Sequence, residues 1–176
     1  MGTEFEGLSI VMNPVHEDGR GSFFKPFEWR CFSQGNDDFS PKEIYYSTNS
    51  RHVIRGMHFQ TPPHDHAKLV WVSSGRILDV VLDMRRNSAT FGKWYSRKLD
   101  PVEGCAILIP KGFAHGFLSL EEGSIVNYAQ TSGYSKENDG GILFDSFGFE
   151  WPEDNPIVSD RDRGLPAFSG YRSEFL

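Results

Sequence analysis

The sequence predicts an all-β chain folded as a sandwich or barrel. Short apolar, β-branched runs recur through its middle, Gly-bearing turns separate them, and helical periodicity is scarce. In chain order, residues 28 to 33 are expected to form one helical turn or two. Leu69-Val70-Trp71-Val72 and Ile77-Leu78-Asp79-Val80-Val81-Leu82 flank Ser73-Ser74-Gly75, which reads as a hairpin. Further strands are expected over residues 93 to 99, 105 to 109, 116 to 120 and 124 to 130, with Glu121-Glu122-Gly123 as one of the turns. Strands spaced in this way suit a two-sheet sandwich or a closed barrel. From residue 151 onward the chain is rich in Pro, Gly and Asp and is expected to wrap the surface as irregular structure.

A length of 176 residues suits a single domain, residues 1 to 176, with a hydrophobic core of its own. Apolar residues at 38% and aromatics at 14% argue for a packed globular chain and against disorder. A formal net charge of −6 argues against a nucleic-acid partner, while leaving room for a local basic pocket for phosphates. Cys31 and Cys105 form no CxxC pair, so a zinc ribbon or redox motif is not indicated and both read as reduced and structural. No charged-then-apolar leader and no apolar run of membrane-spanning length is found, and Glu6 stands where a myristoylation signal needs Ser or Thr. The expectation is a cytoplasmic protein with no membrane partner.

Four histidines crowd the centre of the chain: His58, His64, His66 and His115. On a strand, period-two alternation would point His64 and His66 the same way, as a metal pair requires. Pro110-Lys111-Gly112-Phe113-Ala114-His115 matches the second motif of the metal-binding cupins. The first cupin motif also needs a Glu four or five residues after its second His, and Val70 and Trp71 occupy those places. A divalent cation is poorly held without that carboxylate, and Lys68 adds a positive charge nearby. A solvated loop beside Pro62-Pro63 is therefore the favoured reading of His64 and His66. His58 follows Arg55-Gly56 and precedes the Pro-rich loop, so it is expected near a strand end. A core histidine with one hydrogen bond and a catalytic base are both open for it.

A wider pattern surrounds His58. Val53-Ile54-Arg55-Gly56-Met57-His58-Phe59-Gln60, then Pro62-Pro63, then Lys68-Leu69-Val70 resembles the signature of the dTDP-4-dehydrorhamnose 3,5-epimerase family. The resemblance continues through Asp79-Val80-Val81-Leu82-Asp83-Met84-Arg85, Ser88-Ala89-Thr90-Phe91-Gly92-Lys93-Trp94 and residues 109 to 117. It closes with Glu150-Trp151-Pro152 and Ser159-Asp160-Arg161-Asp162-Arg163, and Asp18-Gly19-Arg20-Gly21 matches early in the chain. Similarity in register thus extends from Asp18 to about Pro166. It implies a cupin-like double-stranded β-helix (jelly-roll) barrel with short helices and an irregular C-terminal segment. It also implies a homodimer that needs neither metal nor cofactor.

The resemblance further implies an epimerase of a nucleotide-linked 4-keto-6-deoxy sugar. By it, His58 corresponds to the general base, Asp162 to the carboxylate that orients it, and Tyr134 to the acid on the opposite face of the sugar. Lys68, Arg55, His115 and Arg20 match residues that contact the keto oxygen or the phosphates, and Ser47, Phe23 and Gln60 complete the expected substrate-binding set. The chemistry agrees with these residue types. A proton α to a ketone leaves an enolate, and an imidazole titrates near neutrality, as a base for that step should. A carboxylate fixes its tautomer, with Asp83 in reserve to Asp162 for that task. A cation aimed at the enolate oxygen, Lys68 first, stabilises charge that develops only in the transition state. Arginines make bidentate contacts with a pyrophosphate. Taken without the resemblance, Tyr134 reads as a surface tyrosine beside the Thr131-Ser132-Gly133 turn, and Arg20 and Arg55 as surface ion pairs.

The chain departs from the family pattern at two places. Lys25 stands where the family has a Glu, and Glu43-Ile44-Tyr45-Tyr46-Ser47 replaces a Q-D-N-x-S run of which Ser47 alone is kept. These changes are expected to remodel base recognition, leaving CDP and GDP as alternatives to dTDP as the carrier. Inversion at C3, at C5 or at both is open. So are, more remotely, a 3,4-ketoisomerase, a non-catalytic sugar-binding barrel and a metal-dependent cupin enzyme.

Overall fold

The computed structural model describes residues 2–28 and 39–176. The helical turn expected over residues 28 to 33 lies, past Glu28, outside the described residues, as does Cys31. The strands are β1 (Ser9–Met12), β2 (His16–Asp18), β3 (Gly21–Phe23), β4 (Glu43–Asn49), β5 (Ile54–Gln60) and β6 (Lys68–Ser74). They continue with β7 (Ile77–Asp83), β8 (Trp94–Leu99), β9 (Cys105–Ile109), β10 (Phe113–Ser119), β11 (Ser124–Gln130) and β12 (Asp139–Gly141). β9 and β11 have the bounds expected from sequence. β8 starts one residue later, and β10 starts three residues earlier and ends one earlier.

Two five-stranded sheets face each other, in the orders β1-β9-β6-β11-β4 and β12-β5-β10-β7-β8, with β2-β3 as a separate hairpin. Every ladder between these strands is antiparallel. From β4 to β7 the chain changes sheet at each strand, which is the jelly-roll winding. The expected β6–β7 hairpin is therefore not formed: the two strands are consecutive but lie in different sheets. The turn signal specified a reversal of the chain; it did not specify which strand would lie alongside. Gly75 makes that crossing with φ of +71°, and a Cβ there would stand 2.8 Å from Ser124 Cα. Only a residue without a side chain fits both the dihedral and the approach.

Inward-pointing residues of the two sheets form the main core. Val70, Val72, Ile107 and Val126 from one sheet meet Ile77, Val81, Phe113 and Phe117 from the other, with Phe5 and Leu8 sealing the end. A buried free thiol, Cys105, belongs to this layer, and burial pushes its pKa up. The outer face of the second sheet is covered by the C-terminal segment. Ile142, Phe147, Phe149 and Phe175 are buried against Met57, Phe59, Val80 and Leu82. Each such apolar side chain contributes roughly 2 kcal/mol, which holds an irregular segment in place where few ladder bonds do. Beyond β12 the segment forms a one-turn helix, Asp160–Arg163, and a 3-10 turn, Phe168–Gly170. This matches the irregular wrap expected from its composition.

The turn at Gly75 gives a direct check. Gly75→Ala is expected to lower the free energy of unfolding by about 1–3 kcal/mol, from left-handed strain plus the displacement of Ser124. Urea denaturation measures this, and an unchanged midpoint would remove the argument.

Candidate active site

Along the barrel, the inward faces change from apolar to polar. On β4 the inward positions are Glu43, Tyr45 and Ser47, on β6 Lys68, on β10 His115 and on β11 Tyr128 and Gln130. With Arg55, His58 and Gln60 of β5 they line an open cavity of about 380 Å³, joined at the rim by Tyr134, Asp139 and Arg161.

Arg55 and His58 are three residues apart, which in a regular strand puts them on opposite faces. The ladder between β5 and β10 pairs His115 with His58 but Phe117 with Arg55, so β5 carries one extra residue between them. This bulge brings both side chains to the cavity. It needs Gly56, whose φ is +133° and whose Cβ would stand 2.5 Å from Gly116 Cα. Two glycines thus let the strands approach at the point where His58 is aimed. His58 lies inside β5, two residues from its end, near a strand end as expected.

His58 Nε2 lies 2.7 Å from Asp162 Oδ1. A carboxylate is an acceptor, so Nε2 carries the proton in this bond and Nδ1 keeps its lone pair. Asp162 sits in the one-turn helix and is 3% exposed, with Oδ2 accepting the Gly56 N–H at 3.3 Å. Ser159 caps that helix by accepting the Asp162 N–H at 3.1 Å. Burial alone would raise the Asp162 carboxyl. The hydrogen bond and charge of His58, the Gly56 N–H and Arg161 outweigh it and hold it below the usual carboxylate range. Asp83, the reserve partner, does not reach His58. It is fully buried and bound by Arg85, Ser88 and Thr90.

His115 is the direct cross-strand partner of His58, so the two rings share one face of the sheet. Its Nε2 lies 2.7 Å from Asp79 Oδ2, and both residues are buried. Lys68 Nζ donates to the His58 backbone oxygen at 3.5 Å. Burial lowers the Lys68 ammonium from 10.5 to about 8, while the carboxylates of Asp139 and Asp79 resist that shift. Arg55 donates to Asn49 Oδ1 at 2.7 Å, and Asn49 in turn donates to Ser47.

Tyr134 is 63% exposed at the rim, and its hydroxyl lies 3.3 Å from Asp139 Oδ2, which also pairs with Arg161 at 2.8 Å. It is not a loose surface tyrosine. Its backbone N–H donates to Glu43 Oε1 at 2.9 Å. Gln60 Oε1 accepts the Ser135 N–H at 2.6 Å, and Gln60 Nε2 donates to Gly133 O at 3.2 Å and His64 O at 2.9 Å. Gln60 is thus 4% exposed with its amide engaged inside the protein, although it was expected to contact substrate.

Two expected substrate contacts are not brought to this cavity. Arg20 and Phe23 are exposed on the β2–β3 hairpin, where Arg20 forms a bidentate pair with Asp18 and Phe23 packs on His16. The loop expected at His64 and His66 is present, but only His64 is solvated. His66 is 8% exposed, and burial beside Lys68 lowers its pKa to about 3. Its Nε2 has no hydrogen-bond partner. Among the described residues, no three His, Cys, Asp or Glu side chains converge as metal ligands. Glu43 and Tyr45, expected at the base-recognition end, stand beside the Tyr134 segment: Tyr45 stacks on Tyr128 and donates to Gln130 Oε1 at 3.1 Å. Sequence reasoning placed Glu43 only with base recognition and did not find Gln130, Asp139 or Arg161 as cavity residues. Period-two alternation on β4 was the available signal for Glu43, but the apolar pair Ile44 and Tyr46 lies on the outer, exposed face of that strand and suggests the opposite phase.

Comparison with known proteins follows the same geometry. A profile of the dTDP-4-dehydrorhamnose 3,5-epimerase family matches residues 2–170. The dTDP-4-dehydrorhamnose 3,5-epimerase of Methanothermobacter thermautotrophicus is 38% identical, over 92% of this chain and 89% of its own. The crystal structure of the enzyme of that name from Sulfolobus tokodaii superposes with a TM-score of 0.91 at 33% identity, covering 99% of this chain and 97% of that one. The Legionella pneumophila dTDP-6-deoxy-D-glucose-3,5-epimerase, solved with dTDP-4-keto-L-rhamnose, gives a TM-score of 0.93 at 28% identity over 100% of this chain and 95% of that one.

The burial of Lys68 is open to measurement. Its side chain, followed by 13Cε chemical shift, is expected to titrate near about 8. A midpoint at the ordinary value of about 10.4 would mean that the cavity is wetter than its walls suggest.

Proposed function

The chain belongs to the dTDP-4-dehydrorhamnose 3,5-epimerase family, and from that premise we propose that His58 and Tyr134 carry the two proton transfers of its reaction. It is an epimerase of a nucleotide-linked 4-keto-6-deoxy sugar, an isomerase of the dTDP-4-dehydrorhamnose 3,5-epimerase type. The observation that carries the residue assignment is the 2.7 Å His58–Asp162 bond within a cavity that Lys68 and Tyr134 also line. A sugar-binding barrel without chemistry has no need of a cavity imidazole held by a buried carboxylate.

In this reading, Nδ1 of His58 takes the proton from the carbon next to the C4 ketone. The bonding pair moves onto the ketone oxygen, and Lys68 as the ammonium stabilises the enolate. The imidazolium that forms is held by Asp162. Tyr134 then gives its hydroxyl proton to the same carbon from the other face, and the ketone re-forms with the centre inverted. Solvent restores both groups. Arg55, with Asn49 holding its Nε, and His115, held by Asp79, stand ready for the diphosphate and the sugar. We further propose that dTDP is the carrier, that no metal or cofactor takes part, and that the enzyme is a cytoplasmic homodimer. A dimer would let the exposed β2–β3 hairpin, which carries Arg20 and Phe23, reach a neighbouring cavity. Among the described residues, no helix is long and apolar enough to cross a membrane.

Incubation with dTDP-, CDP- and GDP-linked 4-keto-6-deoxyhexoses in heavy water tests the reading, because the labelled positions report both the carrier and the inverted centres. His58→Ala is expected to fold and to lose deuterium uptake at C3 and C5; undiminished uptake would refute its role. Lys68→Met is expected to cost on the order of 100-fold in turnover. Since the ammonium is the active form, kcat/KM of the parent enzyme should fall as pH rises through about 8. An alkaline limb that survives Lys68→Met unchanged would assign it to another group.

A further inference from the structure

Tyr134 lies in an irregular stretch between β11 and β12, so the place of its phenol depends on how the backbone of residues 133 to 135 is held, as well as on the hydroxyl's contact with Asp139. That backbone is gripped from two strands. On the β5 side Gln60 holds Ser135 and Gly133. On the β4 side the grip is Glu43, through Oε1 and the Tyr134 N–H at 2.9 Å. The second Glu43 oxygen, Oε2, accepts Gln130 Nε2 at 2.8 Å. The orientation of Gln130 is itself set, because its Oε1 accepts the Tyr45 hydroxyl and its Nε2 also donates to Ser132 O at 3.0 Å. Gln130 therefore turns a donor toward residue 43. A carboxylate answers with two acceptors, whereas an amide there would set N–H against N–H. Glu43 is half-buried and both its oxygens are engaged within the protein.

We propose that Glu43 is a positioning residue for the second proton transfer: it fixes the backbone of Tyr134 so that the phenol addresses the sugar face opposite His58. Tyr45 and Gln130 act with it by fixing which way its partner amide points. The departure from the family run at residues 43 and 45 is then a matched pair serving the acid, not a change in base recognition. This inference rests on the reading of Tyr134 as the proton donor. Its chemical consequence is specific. An enolate that receives no proton from the far face is returned a deuteron by His58 on the face it left, giving exchange without inversion.

The test is a double-mutant cycle in heavy water with a dTDP-linked 4-keto-6-deoxyhexose, reading deuterium uptake and inverted product separately. Glu43→Ala is expected to lower inverted product by about tenfold or more while uptake stays within about threefold. In a Tyr134→Phe background, Glu43→Ala should add less than about twofold, since the group it positions is already gone. Glu43→Gln, which keeps the Oε1 acceptor, should retain more product than Glu43→Ala, and it serves where the alanine variant folds poorly. Parallel loss of uptake and product, an equal cost in both backgrounds, or equal impairment by Gln and Ala would each overturn the assignment of Glu43. A Tyr134→Phe protein with an unchanged product-to-uptake ratio would instead refute the donor reading on which it stands.

Discussion

The site depends on one hydrogen bond, between the imidazole of His58 and the carboxylate of Asp162, across 104 residues of chain. Formation of that bond requires the C-terminal segment to have returned over the second sheet. The return is driven by apolar burial: Phe147, Phe149 and Phe175 close over Met57 and Phe59 on the outer face. The buried aromatics and the capped helical turn of Asp162 are therefore one device. The first supplies the free energy, and the second places a carboxylate that burial by itself would neutralise. A buried carboxylate in such a place stabilises little of the fold, but its hydrogen bond leaves one tautomer and one ring orientation for His58.

The same economy governs the cavity. Burial drives the Lys68 ammonium toward losing its proton, and the carboxylates of Asp139 and Asp79 oppose that. Asp79 also fixes His115, and Asp139 also meets the Tyr134 hydroxyl and Arg161. Each of these two carboxylates thus serves more than one neighbour. On the far side, Gln60 and Glu43 spend their polar atoms on the backbone around Tyr134. Residues that line a cavity are thus of two kinds here: those with a valence left for a ligand, and those whose valences are used to aim the others.

Much of this was legible in the chain. The strands with an unambiguous apolar pattern, residues 105 to 109 and 124 to 130, were placed to the residue. The crowded blocks around His58 and Asp162 pointed to the right pairing because both belong to one recognisable pattern. Other features were hidden for physical reasons. The Ser73-Ser74-Gly75 turn encodes reversal but not lateral partnership, which is set by the packing of two sheets. His66 looked solvated because its neighbours are Pro and Asp, yet the Gln60 amide and Lys68 enclose it. β4 turns its apolar pair, Ile44 and Tyr46, to the exposed outer face, so its pattern gave no sign that Glu43 faces inward.

The sequence by itself determined the class of fold and the irregular nature of the last stretch, while the pairing of His58 with Asp162 and the place of Lys68 beside them were implied by resemblance to a family pattern. The first two follow from residue type and local period, which are properties of the chain alone. Only the tertiary structure decided that Arg55 and His58 share a face, that the Tyr134 backbone is gripped from two strands, and that Arg20 and Phe23 stand outside the cavity. Each of those is set by a bulge, a close approach of two glycines or a contact between distant strands. Such features cost local regularity, and they persist because packing elsewhere in the barrel compensates for them.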